Sequence, residues 1–188
     1  MGALRSFFVG TKSAHFLLEN TMKKSRFLAF GALIAALYVA LTYLQNALIP
    51  GSATWAIQFR ASEALCVLAL FTPAAIPGLT LGCLLFNISF AGALPLDFLV
   101  GSLATLLATA GMYALRKVTV KGYPLLSMAL PAITNAFLVG WELTAYIGGG
   151  FWLNAFYVAI GEAAVLLTLG TALYYVLNKN KPLKQFLA

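Results

Sequence analysis

The sequence predicts an all-α integral membrane protein, a bundle of six transmembrane helices with both termini on the cytoplasmic side. Three observations lead there. Of the 188 residues, 62% are hydrophobic and only 9% charged, with a mean hydropathy of +0.91; a soluble domain carries roughly a quarter charged residues to keep its surface wet. The apolar residues fall in blocks matched to a bilayer core of about 30 Å at 1.5 Å per helical residue. The basic residues gather at the edges of those blocks, as Lys23, Lys24 and Arg26, as Arg116, Lys117 and Lys121, and as Lys179, Lys181 and Lys184. This is the positive-inside pattern. A nucleic-acid face would not be cut up by membrane spans, so the net charge of +7 speaks for topology, and no nucleic-acid partner is expected.

Residues 1–22 read as a weakly structured cytoplasmic tail, 23–180 as the membrane domain and 181–188 as a second cytoplasmic tail. Met1-Gly2 with Ser6 fits a loose myristoylation pattern, but one acyl chain adds little to a protein with six spans. Lys23-Lys24 before an apolar run imitates a signal peptide; the core from Phe27 to Leu44 is too long for that and reads as the first span. Spans are expected near 27–48, 60–76, 78–92, 97–115, 125–147 and 152–177. Pro73, Pro77 and Gly78 separate the second from the third, Gly92 and Pro95 the third from the fourth. Lys121-Gly122-Tyr123-Pro124 breaks before the fifth, and Gly148-Gly149-Gly150 before the sixth. With the N-terminus inside, all three basic clusters are cytoplasmic and Arg60 alone lies at an outer position.

Ala32, Ala36 and Ala40 place a small residue at every fourth position of span 1, with Gly31 and Ala35 alongside. Such a ridge lets another helix come close, either a partner or a helix of the same chain. Gly78 and Gly82 make a weaker version on span 3.

Charged groups inside a membrane are costly and usually mark a site. Arg60 and Glu63 fall in the first outer turn of span 2, Asn87 in the outer part of span 3, and Asp97 at the outer start of span 4. Glu142 lies just below the outer end of span 5, Asn154 begins span 6, and Asn135 and Glu162 lie near mid-depth. These groups converge on an outward-opening pocket for a small molecule. Asn135, Glu142 and Tyr146 recur at i, i+7 and i+11 and share a helix face, and Pro131 is expected to bend that helix. Trp55, Phe59, Trp141, Phe151, Trp152 and Tyr157 form either an interfacial belt or stacking walls for a flat ligand. Structural roles compete: Arg60 and Glu63 can neutralise each other at i, i+3, Asp97 can cap its helix, and Glu162 is either protonated or paired with Arg60. The candidate binding residues are thus Glu142, Glu63, Asp97, Arg60, Asn135, Asn87, Trp141, Tyr146, Asn154 and Glu162.

No cofactor or metal is expected. His15 is the single histidine, and Cys66 and Cys83 sit in apolar stretches as small apolar residues rather than a disulfide. No phosphate-binding G-x-x-x-x-G-K-[ST] loop is present, so energy for transport would come from a partner or an ion gradient.

The segments Arg60-Ala61-Ser62-Glu63-Ala64-Leu65 and Phe71-Thr72-Pro73-Ala74-Ala75-Ile76-Pro77-Gly78, and Asp97 followed by Gly101-Ser102-Leu103-Ala104-Thr105, closely resemble the QueT family. The likeness runs from about Lys23 to Lys179, with Ala69 where relatives are expected to carry proline. The resemblance implies the six-helix fold of a substrate-binding S component of an energy-coupling factor transporter, specific for a queuosine precursor. It also implies partners, namely a transmembrane coupling protein and two ATPase subunits, with the Ala32–Ala36–Ala40 ridge docking on the former. A 7-deazaguanine base suits carboxylates and aromatics, since its N1–H and exocyclic amine form one donor edge. Another vitamin such as a corrinoid, a small intramembrane enzyme using Glu142 with Asp97 or Glu162 as acid and base, and a stand-alone facilitator are the competing readings.

Overall fold

The computed structural model describes residues 2–52, 59–90 and 92–187, with side chains from Met22 onward. Among these the chain is helical apart from its connecting turns and one antiparallel bridge between Val120 and Tyr123. Helix α1 spans Gly2–Leu48, followed by a 3-10 helix over Ala61–Leu70, α2 over Ala75–Ser89, α3 over Asp97–Leu115 and α4 over Leu125–Tyr146. Helix α5 (Phe151–Val165) passes through a π turn (Leu166–Gly170) into α6 (Thr171–Lys179), and α7 (Lys181–Leu187) ends the chain. Gly148 and Gly149 supply the break after α4 with φ of 86° and 82°, left-handed values that a side chain would resist. Pro77 is accommodated in the first turn of α2, whereas Pro131 lies inside α4, which continues past it.

Four stretches are long and apolar enough to cross a membrane: Met22–Leu48, Asp97–Leu115, Leu125–Tyr146 and Phe151–Lys179. They match four of the six expected spans and make this a multi-pass membrane protein. The other two differ from expectation. The span expected over 60–76 is a 3-10 helix of ten residues, about 20 Å long at 2.0 Å per residue. The next is α2, with 15 residues and about 22 Å. The tails differ too: α1 begins at Gly2, so the backbone expected to be weakly structured is helical, and Lys181–Leu187 is a helix.

The 3-10 helix is the centre of the molecule. Its residues from Ser62 to Ala69 are all buried, and it touches α1, α2, α3, α4, α5, the π turn and α6. An element enclosed by protein needs no match to the lipid thickness, because its ends meet other chain segments. Cys66, Val67, Ala69, Leu79, Cys83, Phe86 and Met112 close the core around it.

Helices α1 and α2 pack through small residues. A Cβ at Gly78 would stand 2.7 Å from the Gly31 carbonyl oxygen, and one at Gly82 would stand 2.7 Å from Tyr38 Cβ and 3.0 Å from the Ala35 carbonyl oxygen. Gly31 and Ala35 are buried in this contact, while Ala32, Ala36 and Ala40 are exposed on the opposite side of α1. The glycines of α2 therefore meet the inner small residues, and the alanine ridge is left outside the fold.

Gly78→Ala should destabilise by about 1–3 kcal/mol, because its neighbour is backbone that cannot yield. Ala36→Leu, on the exposed side, should leave stability within about 0.5 kcal/mol. Thermal unfolding of both variants in detergent checks this, and equal midpoints would contradict the packing described.

Candidate ligand-binding site

The site is built on the start of the 3-10 helix, and α1 holds it there. Tyr38, Thr42 and Gln45 recur at i, i+4 and i+7 and share one face of α1. The Tyr38 hydroxyl, fully buried, donates to Glu63 Oε1 at 2.5 Å. Thr42 donates to the Tyr38 carbonyl oxygen at 2.7 Å and shares a hydrogen bond with Ser62 Oγ at 2.7 Å. Gln45 Oε1 accepts from the Ala61 backbone N–H at 2.5 Å, and its amide nitrogen bonds Ser52 Oγ at 2.9 Å and the Phe59 carbonyl oxygen. Three successive 3-10 residues are thus tied to three successive turns of α1. The free backbone donor at the helix start is met by a side chain.

Three residues per turn put Arg60, Glu63 and Cys66 on one edge. Cys66 Sγ donates to Glu63 Oε2 at 3.2 Å, so this cysteine is a carboxylate partner as well as a small apolar residue. The Arg60 guanidinium is buried, lies 5.9 Å from the Phe86 ring centroid, and is within electrostatic reach of Tyr38, Cys83, Asp97 and Glu63. Glu142 and Glu162 feel it too. The mutual neutralisation of Arg60 and Glu63 is therefore only part of the arrangement, since one guanidinium serves acids from four helices.

Asp97, at the first position of α3, accepts from the Leu94 backbone N–H at 2.9 Å through Oδ2. This closes the turn before the helix; Leu96 holds the capping position and offers no side-chain bond. Asn87 Nδ2 donates to the Asp97 carbonyl oxygen at 2.8 Å, fixing α2 to α3. A depression of about 460 Å³ opens beside Asn87 between Phe90, Leu94, Pro95 and Phe98. Glu142 faces the Asp97 carboxyl from α4 and is fully buried; apart from that carboxyl, neither of its oxygens has a hydrogen-bond partner among the described residues. Glu162 and Asn135 are buried and adjoin each other, and Glu162 Oε2 and Asn87 Oδ1 are likewise unpartnered among those residues.

Arg60, Glu63, Asn87, Asp97, Asn135, Glu142 and Glu162 are accordingly brought together. Three expected members are not. Trp141 and Tyr146 are exposed, so Tyr146 does not follow Asn135 and Glu142 into the interior. Asn154 Nδ2 donates to Thr144 Oγ1 at 2.9 Å and to the Gly148 carbonyl oxygen at 3.0 Å, pinning the α4–α5 turn. Phe59 and Trp152 are exposed as well, an arrangement that suits an interfacial belt better than stacking walls. Trp55 lies outside the described residues. Reading by charge misses Tyr38, Thr42, Gln45 and Cys66; the signal that finds the first three is a polar stripe at helical spacing on an otherwise apolar span.

Tyr38→Phe keeps the ring but leaves Glu63 Oε1 buried without its donor, which should cost about 1–3 kcal/mol. Tyr43→Phe removes a hydroxyl bonded to Ser89 at 2.8 Å on the exposed side of α1 and should cost less than half as much. Paired thermal unfolding measurements check the difference, and equal losses would contradict it.

No protein of curated function and no solved structure matches the chain. The sequence model of the QueT transporter family matches residues 28–179, a stretch that begins within the first membrane-crossing helix and contains the whole buried cluster together with the other three. The chain therefore belongs to the QueT transporter family, whose members move a small-molecule substrate across a membrane.

Proposed function

We propose that this protein is the substrate-binding S component of an energy-coupling factor transporter. In this reading it captures a queuosine precursor, a 7-deazaguanine base such as queuine or its aminomethyl precursor, from outside the cell membrane. Uptake is driven by ATP in a partner module of one transmembrane coupling protein and two ATPase subunits. The topology is six-pass with both termini inside; the 3-10 helix and α2 serve as the second and third passes, sheltered by the long helices around them. The observation that carries the reading is Glu142, fully buried and, apart from the neighbouring Asp97 carboxyl, without a hydrogen-bond partner among the described residues.

Such a carboxylate is an acceptor waiting for two donors. The N1–H and exocyclic amine of a 7-deazaguanine present such a pair, and with no N7 acceptor the base cannot take Arg60 as guanine takes an arginine. Glu63, Asp97, Glu142 and Glu162 outnumber Arg60, so a ligand carrying an ammonium group offsets acid that the protein leaves uncompensated. In this reading Asp97, whose Oδ2 accepts from the Leu94 backbone N–H, receives that cation while Glu142 takes the base edge. The exposed alanine ridge of α1 supports docking on the coupling protein, because packing inside this fold uses the other small face. The absent phosphate loop supports an ATPase in trans.

Glu142→Gln keeps the shape but sets a donor against a ligand donor, a mismatch of about 1–3 kcal/mol, or roughly 5- to 150-fold in affinity. Calorimetry of the folded variant with 7-deazaguanine bases tests it, and unchanged affinity would move the ligand elsewhere. Ala32→Trp combined with Ala36→Leu should abolish uptake into cells while ligand binding by the purified chain stays within about twofold. Uptake at wild-type rate would remove the docking role.

A further inference from the structure

We infer that the Lys23–Phe30 stretch of α1, together with α7, forms a site for one anionic phospholipid. Its phosphate sits on the Arg26 guanidinium and its acyl chain lies along Phe27. The apolar block of α1 starts at Phe27, so Lys23 and Arg26 flank it at the level where lipid phosphates lie. Lys23, Arg26, Phe27 and Phe30 recur at i, i+3, i+4 and i+7 and share one helix face. Cations thus stand above an apolar strip, in the order in which a phospholipid presents its own parts.

Arg26 is not a loose surface side chain. Its guanidinium carbon lies 5.4 Å from the Phe30 ring centroid and 5.2 Å from that of Phe186, and the two rings meet edge-on at 5.0 Å. One guanidinium nitrogen donates to the Phe186 carbonyl oxygen. A planar fork with five N–H donors suits the oxygens of a phosphate, and a fork already fixed by two rings loses less freedom on binding. Helix α7 provides the second ring because Leu183 and Leu187 pack against the core, while Lys184 bonds Asn178 Oδ1 at 2.9 Å and lies 5.9 Å from the Phe71 ring.

The space fits the ligand's parts. A groove of about 340 Å³ runs between Lys23, Arg26, Phe27 and Phe30 on one wall and Pro73 and Leu187 on the other. A second depression shares Lys23 and Phe27 and adds Lys24 and the exposed Leu28. Headgroup and glycerol fit the first, and a chain continues over the second. Orientation by positive charge alone requires lysines and arginines at this end, but not an arginine seated between two rings beside a groove.

The full-length chain, stripped of lipid in detergent, is titrated with phosphatidylglycerol, phosphatidylcholine or inorganic phosphate and read by native mass spectrometry. One phosphatidylglycerol should bind at least about tenfold more tightly than phosphatidylcholine, and millimolar inorganic phosphate should not displace it. Lys23→Gln with Arg26→Gln should abolish the preference, whereas Lys117→Gln with Lys121→Gln, an equal loss of charge at another basic cluster, should preserve it. Equal binding of the two lipids, displacement by inorganic phosphate, or equal loss in the control pair would each overturn the site. If the double variant does not fold, Phe186→Ala keeps every charge and releases one side of the guanidinium; an unchanged preference there would overturn it too. None of these readouts depends on transport or on the identity of the transported substrate.

Discussion

The fold turns on one buried contact, the ladder of side-chain hydrogen bonds by which Tyr38, Thr42 and Gln45 of α1 hold Glu63, Ser62 and Ala61. A 3-10 helix of ten residues is long for its kind. Its hydrogen bonds have poorer geometry than those of an α-helix, and its three-residue turn stacks side chains in columns. Both features become useful here. The stretched rise lets ten residues cover about 20 Å of the interior where an α-helix would cover about 15 Å, so one short element meets every long helix. The column of Arg60, Glu63 and Cys66 delivers a guanidinium, a carboxylate and a thiol to a single edge. Without the α1 ladder, the part-buried backbone N–H of Ala61 would lose its side-chain acceptor and the buried carboxylate of Glu63 its hydroxyl donor, a costly change in so apolar a core.

Much of this was legible in the sequence, for identifiable reasons. The long spans follow from their apolar lengths, and Glu63, Asp97, Glu142 and Glu162 stand out because little else in the interior is ionisable. The four-residue spacing of Gly78 and Gly82 marks a helix contact, and the structure supplies the partner face, Gly31 and Ala35. The 3-10 form of Ala61–Leu70 was not legible. Its alanines, leucines and glutamate are all good α-formers, and the tighter winding answers to the crowd of helices around it, which is tertiary information. Tyr146 fails for a related reason. Helical spacing places it on the face of Asn135 and Glu142, but it is the last residue of α4, where the surrounding bundle has ended and a common face no longer means a common environment.

The two faces of α1 show how small residues divide their work. Gly31 and Ala35 let α2 approach until a single added Cβ would collide with backbone. One position further along, Ala32, Ala36 and Ala40 present an equally flat ridge to the exterior. Flatness in a membrane gains nothing from lipid, whose tails are as apolar as leucine, and is useful where another helix must come near. The same helix turns Tyr38, Thr42 and Gln45 inward to the 3-10 helix. One helix thus carries an open packing surface on one side and the hydrogen-bonded support of Glu63 on the other.

The electrostatics of that site follow from its depth. Charges a few ångströms apart interact far more strongly in a protein interior than in water, and a lone buried ion is costly. Arg60 lies within reach of Glu63, Asp97, Glu142 and Glu162, so it cannot fully compensate any one of them. Glu63 is provided for by the Tyr38 hydroxyl and the Cys66 thiol, and Asp97 in part by the Leu94 amide. Glu142 has neither, and its neighbour is the Asp97 carboxyl. Among the described residues the hydrogen bonds thus go to Glu63 and Asp97, the acids that tie elements together, while Glu142 and one oxygen of Glu162 are left with fewer. That asymmetry separates Glu63, bonded to the helix that supports it, from Glu142, which faces only the Asp97 carboxyl.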